Sequence, residues 1–242
     1  SRGLGDVYKR QDQIAHANLC GFGKSVIQAV LEGKVEQLIL VNCCDSMRRV
    51  YDIVESTGKC KFLYMLDMPH EDNDCEKVKL AQGIHRLKKA YEKFSGKTFD
   101  RSGFLNAFSH EPVDNQPYIG VLGVRVSGIL EKMIRDNIRM DVENLTCTGG
   151  RRLAVIREEL EKMEDDAMFL AYADALLSQM PCFRMNNSTR RNRLYLDPNL
   201  KGIIYHTIKF CDYYGFEYAS IKRDIKVPLL KIETDFTSQS AG

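Results

Sequence analysis

The sequence predicts an α/β fold made of two Rossmann-like parallel-sheet units joined by a helical segment. Three observations lead there. Short unbroken apolar runs such as Leu38–Val41 have the length and continuity of strands buried on both faces. Each is followed by a stretch whose apolar residues recur at helical spacing. The resulting helix–strand–helix–strand–helix order requires right-handed crossovers and a parallel sheet.

The elements justify themselves in order. Ser1–Gln11 (SRGLGDVYKRQ) has no periodicity and reads as non-native read-end sequence, set aside from the fold. The first α/β unit spans residues 12–100. Phe22–Glu32 carries Val26, Ile27, Val30 and Leu31 on one helical face and closes at Gly33, a usual C-terminal cap. Val35–Asn42 is a buried strand. Asp45–Glu55 is a helix capped by Asp45 or Ser46, with Met47, Val50 and Val54 facing inward. Lys61–Leu66 is a second strand, ended by Met68-Pro69. Asp74–Ser95 reads as a long charged helix whose apolar face is Val78, Ile84, Leu87 and Tyr91. Residues 101–140 read as a helical connector, interrupted near Pro112 and Pro117. The second unit spans 141–242: a strand at Val142–Thr148, helices at Arg152–Met163 and Asp165–Met180, a strand at Lys201–Phe210, a short helix at Tyr218–Asp224 and a strand at Pro228–Glu233. A further helix is expected after Gly242, so this unit reads as truncated.

Composition narrows the function. The 35 basic and 33 acidic residues leave a net charge of +2, which implies no field-driven attraction to nucleic acid or to a membrane surface. No apolar run approaches the roughly 18–20 residues of a membrane span, and no signal-peptide pattern is expected from these residues. Eight cysteines without an export signal point to a reducing, cytoplasmic setting, where thiols are free, metal-bound or catalytic. No CxxC pair occurs, which argues against zinc ribbons and thioredoxin-like chemistry.

Two places concentrate cysteine with an acidic neighbour. Cys43-Cys44-Asp45 ends the strand at 35–42 and opens a helix, where thiolates are favoured by free N–H groups and the dipole. Cys211-Asp212 repeats the arrangement in the second half. Ligands collect at the carboxyl ends of strands in open α/β sheets, so a repeated Cys-Asp step there is poorly explained by packing. Cys20 leads the run Cys20-Gly21-Phe22-Gly23-Lys24-Ser25 into a helix; alone it reads as a buried loop thiol, and the run is too short for a phosphate loop. Cys60, Cys75 and Cys147 read as packing thiols, and Cys182 is open. His85 lies on a charged, solvated helix, while His206 sits in a strand able to reach a cleft.

Taken in sequence order these features resemble the D-component family of 2-hydroxyacyl-CoA dehydratases and benzoyl-CoA reductases. The likeness rests on Cys20 before a helix, the strand ending in Cys44-Asp45, Leu66-Asp67-Met68-Pro69, Thr148-Gly149, Pro181-Cys182-Phe183-Arg184 and Lys209-Phe210-Cys211. It runs from about Leu19 to Gly242. The resemblance implies a [4Fe–4S] cluster held by Cys20, Cys44 and Cys211 in the crevice between strand ends, with Cys43 a further ligand or a spare thiol. Three thiolates leave one iron open to an oxygen ligand. The activity implied is that of the iron–sulfur subunit of a radical 2-hydroxyacyl-CoA dehydratase, a lyase of anaerobic metabolism. In such enzymes one electron converts the thioester carbonyl to a ketyl, the hydroxyl leaves, and an enoyl-CoA results. Implied partners are the acyl-CoA substrate, a related second dehydratase subunit and an ATP-dependent iron–sulfur activator. The alternatives are a reductase of the benzoyl-CoA-reductase or double-cubane-cluster type, which Cys43 beside Cys44 favours, and a non-catalytic cluster-bearing subunit. One departure is visible: Met163–Ala171 passes from helix to helix where the family places a strand. Strand alternation also predicts that Cys43 points away from Cys44, into the core.

Overall fold

A computed structural model describes residues 16, 18–107, 116–147, 157–179, 181–186 and 188–235. Ser1–Gln11, Pro112 and the Thr148-Gly149 turn lie outside the described residues. From the N-terminus the elements are α1 (Gly21–Leu31), β1 (Gln37–Val41), α2 (Asp45–Thr57), β2 (Phe62–Leu66) and the long α3 (Asp74–Ser95). Next come α4 (Arg101–Asn106), β3 (Tyr118–Gly123), α5 (Gly128–Asn137) and β4 (Asp141–Asn144). The short α6 (Arg157–Glu161), α7 (Asp165–Ser178), a 3-10 turn (Ser188–Arg191), α8 (Asn192–Tyr195), β5 (Leu200–Ile208), α9 (Asp212–Asp224) and β6 (Leu229–Thr234) follow among the described residues.

These elements form two compact units, neither continuous in sequence. One comprises Ser1–Met65, Pro117–Gly149 and Leu200–Gly242; the other comprises Leu66–Gln116 and Gly150–Asn199. The first is α/β. It holds β1 paired with β2, and a four-stranded sheet in the order β4-β3-β5-β6 whose neighbours are all parallel.

Residues 101–140 are not all helix, and this is the main correction to the sequence reading. They contain β3, which pairs with β4 and β5 on its two sides. Pro117 and the glycines at 120 and 123 look like helix interruptions in the sequence, yet Ile119-Gly120-Val121-Leu122 is an apolar run of strand length, with Val121 and Leu122 fully buried. Gly123 has φ +94°, and a Cβ there would stand 2.1 Å from the carbonyl oxygen of His206, so only glycine lets β3 run this close to β5. Ser127 then accepts the N–H of Leu130 and starts α5. β3 is followed by β4 on one side of the sheet, whereas β5 lies on the other, so the direction of winding reverses between β3 and β5. Ligand sites of open parallel sheets form at the carboxyl ends on either side of such a reversal.

Two hydrophobic cores among the described residues belong to this unit. Ile27, Val30, Leu40, Met47, Val50 and Val54 pack α1 and α2 with β1. Val30, Val50 and Val54 are fully buried, each contributing about 1.5–3 kcal/mol relative to exposure. Val121, Val126, Ile134, Val142 and Ile204 join α5 to the four-stranded sheet. α9 is longer than expected, starting at Asp212, because Cys211 caps it directly and Tyr214 joins Glu217 and Ile221 on its buried side. Glu217 is tolerated there because the Tyr205 hydroxyl donates to it.

The second unit is helical. α3 and α7 meet through Leu80, Ala81, Ala173 and Leu177, where the alanines permit close approach. The apolar face of α3 is therefore rotated from the expected one: Val78 and Tyr91 are exposed, and Leu80 is buried. His85, expected at the surface, is half-buried with its ring edge-on to Phe169. α6 leads into α7 without a strand, as the sequence indicates. Arg101 ties this junction, reaching Asp165 at 2.7 Å and the carbonyls of Leu160 and Met163.

Candidate metal centre

Cys20, Cys44 and Cys211 each occupy the N-cap of a helix, α1, α2 and α9 respectively. The caps are non-helical, and their sulfurs sit beside amides that lack intrahelical partners. Cys44 and Cys211 follow β1 and β5 within three residues, so two of the three also lie just beyond strand ends. Cys20 is placed differently. The glycines that follow it form the first turn of α1 and exist for packing: a Cβ on Gly21 would come within 1.8 Å of the Asp235 carbonyl oxygen, and one on Gly23 within 2.9 Å of Val50. The glycine-rich lead thus seats α1 against the end of β6 and against α2.

The sulfurs report on one another. Cys20 Sγ accepts the N–H of Gly23 at 3.4 Å and a hydrogen bond from the Ser46 hydroxyl, two residues after Cys44. Burial holds the Cys20 thiol above its ordinary pKa, and the neighbouring Cys44 adds to that rise. Cys44 is shifted the other way, down to about 6. The hydrogen bond from Cys43 is the largest cause, and the amides of Met47 and Ser46 at the head of α2 assist against the opposing effect of burial. Cys211 is pushed up to about 12, first by burial and then by the charges of Cys20, Cys44 and Cys147. The thiols of Cys20, Cys44, Cys147 and Cys211 therefore share one electrostatic neighbourhood.

Two of these placements differ from the sequence reading. Cys43 does not turn away from Cys44: β1 ends at Val41, so strand alternation no longer governs residues 43 and 44, and the Cys43 thiol lies against the Cys44 sulfur. Cys147, read as a packing thiol, follows β4, and its sulfur accepts the backbone N–H of Arg125 at 3.2 Å. It thus stands at the carboxyl end of the sheet, where the winding reverses. The sequence reading placed it inside a strand expected at Val142–Thr148, whereas β4 ends at Asn144. Among the other cysteines, Cys60 is a packing thiol bonded to the carbonyls of Glu36 and Phe62. Cys75 is exposed rather than packed, and Cys182 belongs to the helical unit. His206 does not reach a cleft. It is fully buried, with Nδ1 at 3.1 Å from the Val124 carbonyl and Nε2 at 2.9 Å from the Thr234 hydroxyl.

Cys211 also borders a cavity of about 410 Å3 walled by Lys209, Phe210, Phe216, Lys231 and Glu233. Phe210 is exposed and has φ +64°, in the left-handed region that favours glycine. Among the described residues, no three His, Cys, Asp or Glu side chains are arranged to hold a single metal ion. An all-sulfur donor set is the type that iron–sulfur clusters take.

A parallel-sheet α/β protein with thiols gathered at its strand ends and helix caps is the class that this fold and site define. The chain belongs to the 2-hydroxyglutaryl-CoA dehydratase D-component family, whose model matches residues 7–112 and 113–242. No curated protein matches it. Among the described residues, no helix is long and apolar enough to cross a membrane.

Proposed function

We propose that this chain is the iron–sulfur subunit of a radical 2-hydroxyacyl-CoA dehydratase. It takes part in removing water from a 2-hydroxyacyl-CoA to give an enoyl-CoA, begun by one-electron reduction. The observation that carries this reading is the shared neighbourhood of Cys20, Cys44 and Cys211, each at the cap of a different helix. Family membership supplies the reaction class. In this reading the three thiolates hold a [4Fe–4S] cluster at the carboxyl ends of β1 and β5. When bound, such a cluster supplies a one-electron carrier and, at an iron without a protein ligand, a Lewis acid.

The chain's own residues then have definite roles. The Cys43 thiol and the α2 amides keep Cys44 in the thiolate form that binds metal. Gly23 and Ser46 orient the Cys20 sulfur. The cavity beside Cys211 admits the acyl end of the substrate. The acyl-CoA, a related second subunit and an ATP-dependent activator complete the system, in the cytoplasm. The test is anaerobic conversion of a 2-hydroxyacyl-CoA to the enoyl-CoA by the cluster-loaded chain with its partner subunit and activator. Failure with an intact cluster would assign the chain to the non-catalytic class.

A second reading, reduction at a double-cubane cluster, is favoured by Cys43 and Cys147, which extend the thiol group beyond the three family cysteines. It requires roughly twice the iron and sulfide of a single cubane.

A further inference from the structure

Three residues close to Cys211 are unfavourable for the fold and are not explained by its packing. Phe210 has φ +64°, a conformation that glycine adopts freely and a phenylalanine only against steric strain. Burial does not compensate, since the residue is 52% exposed. Phe216 of α9 is 69% exposed. Gly215 precedes it inside the helix, where glycine is a poor choice. A Cβ on Gly215 would meet nothing within 4 Å, so no close contact requires the glycine. All three line the cavity of about 410 Å3 that Cys211 borders. A strained aromatic, an exposed aromatic and an unfilled helical position around one cavity point to a ligand rather than to the core.

The charges of the lining are balanced and directed at one another. Lys231 pairs with Glu233 at 2.9 Å, and its ammonium lies 5.2 Å from the centre of the Tyr218 ring. The Thr207 hydroxyl also donates to Glu233. Hydrogen bonding from Lys231 holds the Glu233 carboxyl below its ordinary pKa, and the charge of Lys209 adds to that. Both lysines of the lining thus act on Glu233, and the other charged group, Asp212 at the head of α9, is negative. A carboxylate entering the cavity would find two lysines matched by two carboxylates, one of them already paired.

We propose that Phe210, Gly215 and Phe216 form a specificity pocket for an apolar acyl group, aromatic or branched. Gly215 leaves the space that the group fills, and the two phenylalanines pack against it. This rests on the dehydratase reading for the 2-hydroxyacyl-CoA itself, and it departs from the carboxylate-ended glutaryl group of the family's name.

The test is isothermal titration calorimetry of the purified chain with three 2-hydroxyacyl-CoAs, whose acyl chains end in a phenyl, an isopropyl or a carboxylate group. The phenyl-ended and isopropyl-ended compounds should bind the parent about tenfold tighter than the carboxylate-ended one. Phe210→Gly and Phe216→Ala should each narrow that gap. Gly215→Leu fills the space and should weaken the two apolar compounds most. Leu230→Ala removes a comparably exposed apolar side chain that is not part of the lining, and should keep the gap. Gly215→Ala should raise the melting temperature, as a helical glycine free of close contacts predicts. Equal affinities in the parent, tighter binding of the carboxylate-ended compound or no binding of any of the three would overturn the proposal. So would a gap that survives either phenylalanine substitution, or a Gly215→Ala chain that melts lower. Binding in the expected order without dehydration by the cluster-loaded chain and its partners would instead overturn the dehydratase reading alone.

Discussion

The backbone N–H of Arg125 donates to the sulfur of Cys147 at 3.2 Å, which holds that thiol at the reversal of the four-stranded sheet rather than in a core. Cys147 also raises the pKa of Cys211. Replacing it should therefore change the electronic surroundings of any group bound at Cys211. Cys147→Ala is expected to alter the paramagnetic resonance spectrum of reconstituted protein, while Cys60→Ala leaves it unchanged. Identical spectra for Cys147→Ala and the parent would return Cys147 to a packing role.

The opposite shifts of Cys44 and Cys211 give a pH signature in metal-free protein. Thiolates alkylate and thiols do not, so Cys44 should react with iodoacetamide half-maximally near pH 6, with Cys211 inert until strongly alkaline pH. Cys43→Ala removes the largest cause of the Cys44 shift. Its half-maximum should move upward, slowing labelling near neutral pH by about tenfold for each unit by which the half-maximum then exceeds the working pH. Labelling of Cys44 that is unchanged in Cys43→Ala would show that the Cys43 thiol does not hold it.

Gly21 tests whether α1 must seat Cys20 where it does. A Cβ at this position meets backbone of Asp235, which has no flexible end to yield. Gly21→Ala is expected to destabilise the chain by about 1–3 kcal/mol in urea unfolding and to lower cluster yield by displacing Cys20. Stability within experimental error of the parent would contradict the packing.

Much of this was legible in the sequence because strands leave short uninterrupted apolar runs, although those runs overstate burial: β5 is buried along nearly its whole length, whereas Ile39 of β1 and Leu230 of β6 are exposed. β1, β2, β5 and β6 fall close to where those runs predict. β3 was hidden because Pro117, Gly120 and Gly123 mimic helix breaks, whereas Gly123 is required by the approach of β5. The Cys-Asp steps at 44 and 211 announced themselves by following strand-like runs. Cys147 did not, since β4 is only four residues long with Val142 its single buried side chain. The apolar face of α3 was misjudged because Ala173 and Leu177 on α7 decide which side packs, and that partner is not visible in the helix's own periodicity.

His206 carries a pH dependence of stability unrelated to the thiols. Burial lowers its folded pKa from 6.5, so below pH 6.5 the unfolded chain takes up a proton that the folded chain refuses. Stability is then retained above about pH 6.5 and falls as the pH drops toward the folded value, by at most about 1.4 kcal/mol per unit. Comparing urea midpoints of the parent and His206→Gln across this range isolates the contribution. Parallel pH profiles for the two proteins would rule it out.

The most direct measurement is anaerobic reconstitution with iron and sulfide, followed by iron and sulfide counting and electron paramagnetic resonance on the parent, Cys20→Ala, Cys44→Ala, Cys211→Ala and Cys60→Ala. The account predicts about four irons per chain in the parent and in Cys60→Ala, as a single cubane requires. It predicts loss of the cluster signal in each of the three cap-cysteine variants, even where circular dichroism shows them folded. A parent chain that folds but assembles no cluster, or cap-cysteine variants that load as fully as Cys60→Ala, would contradict it.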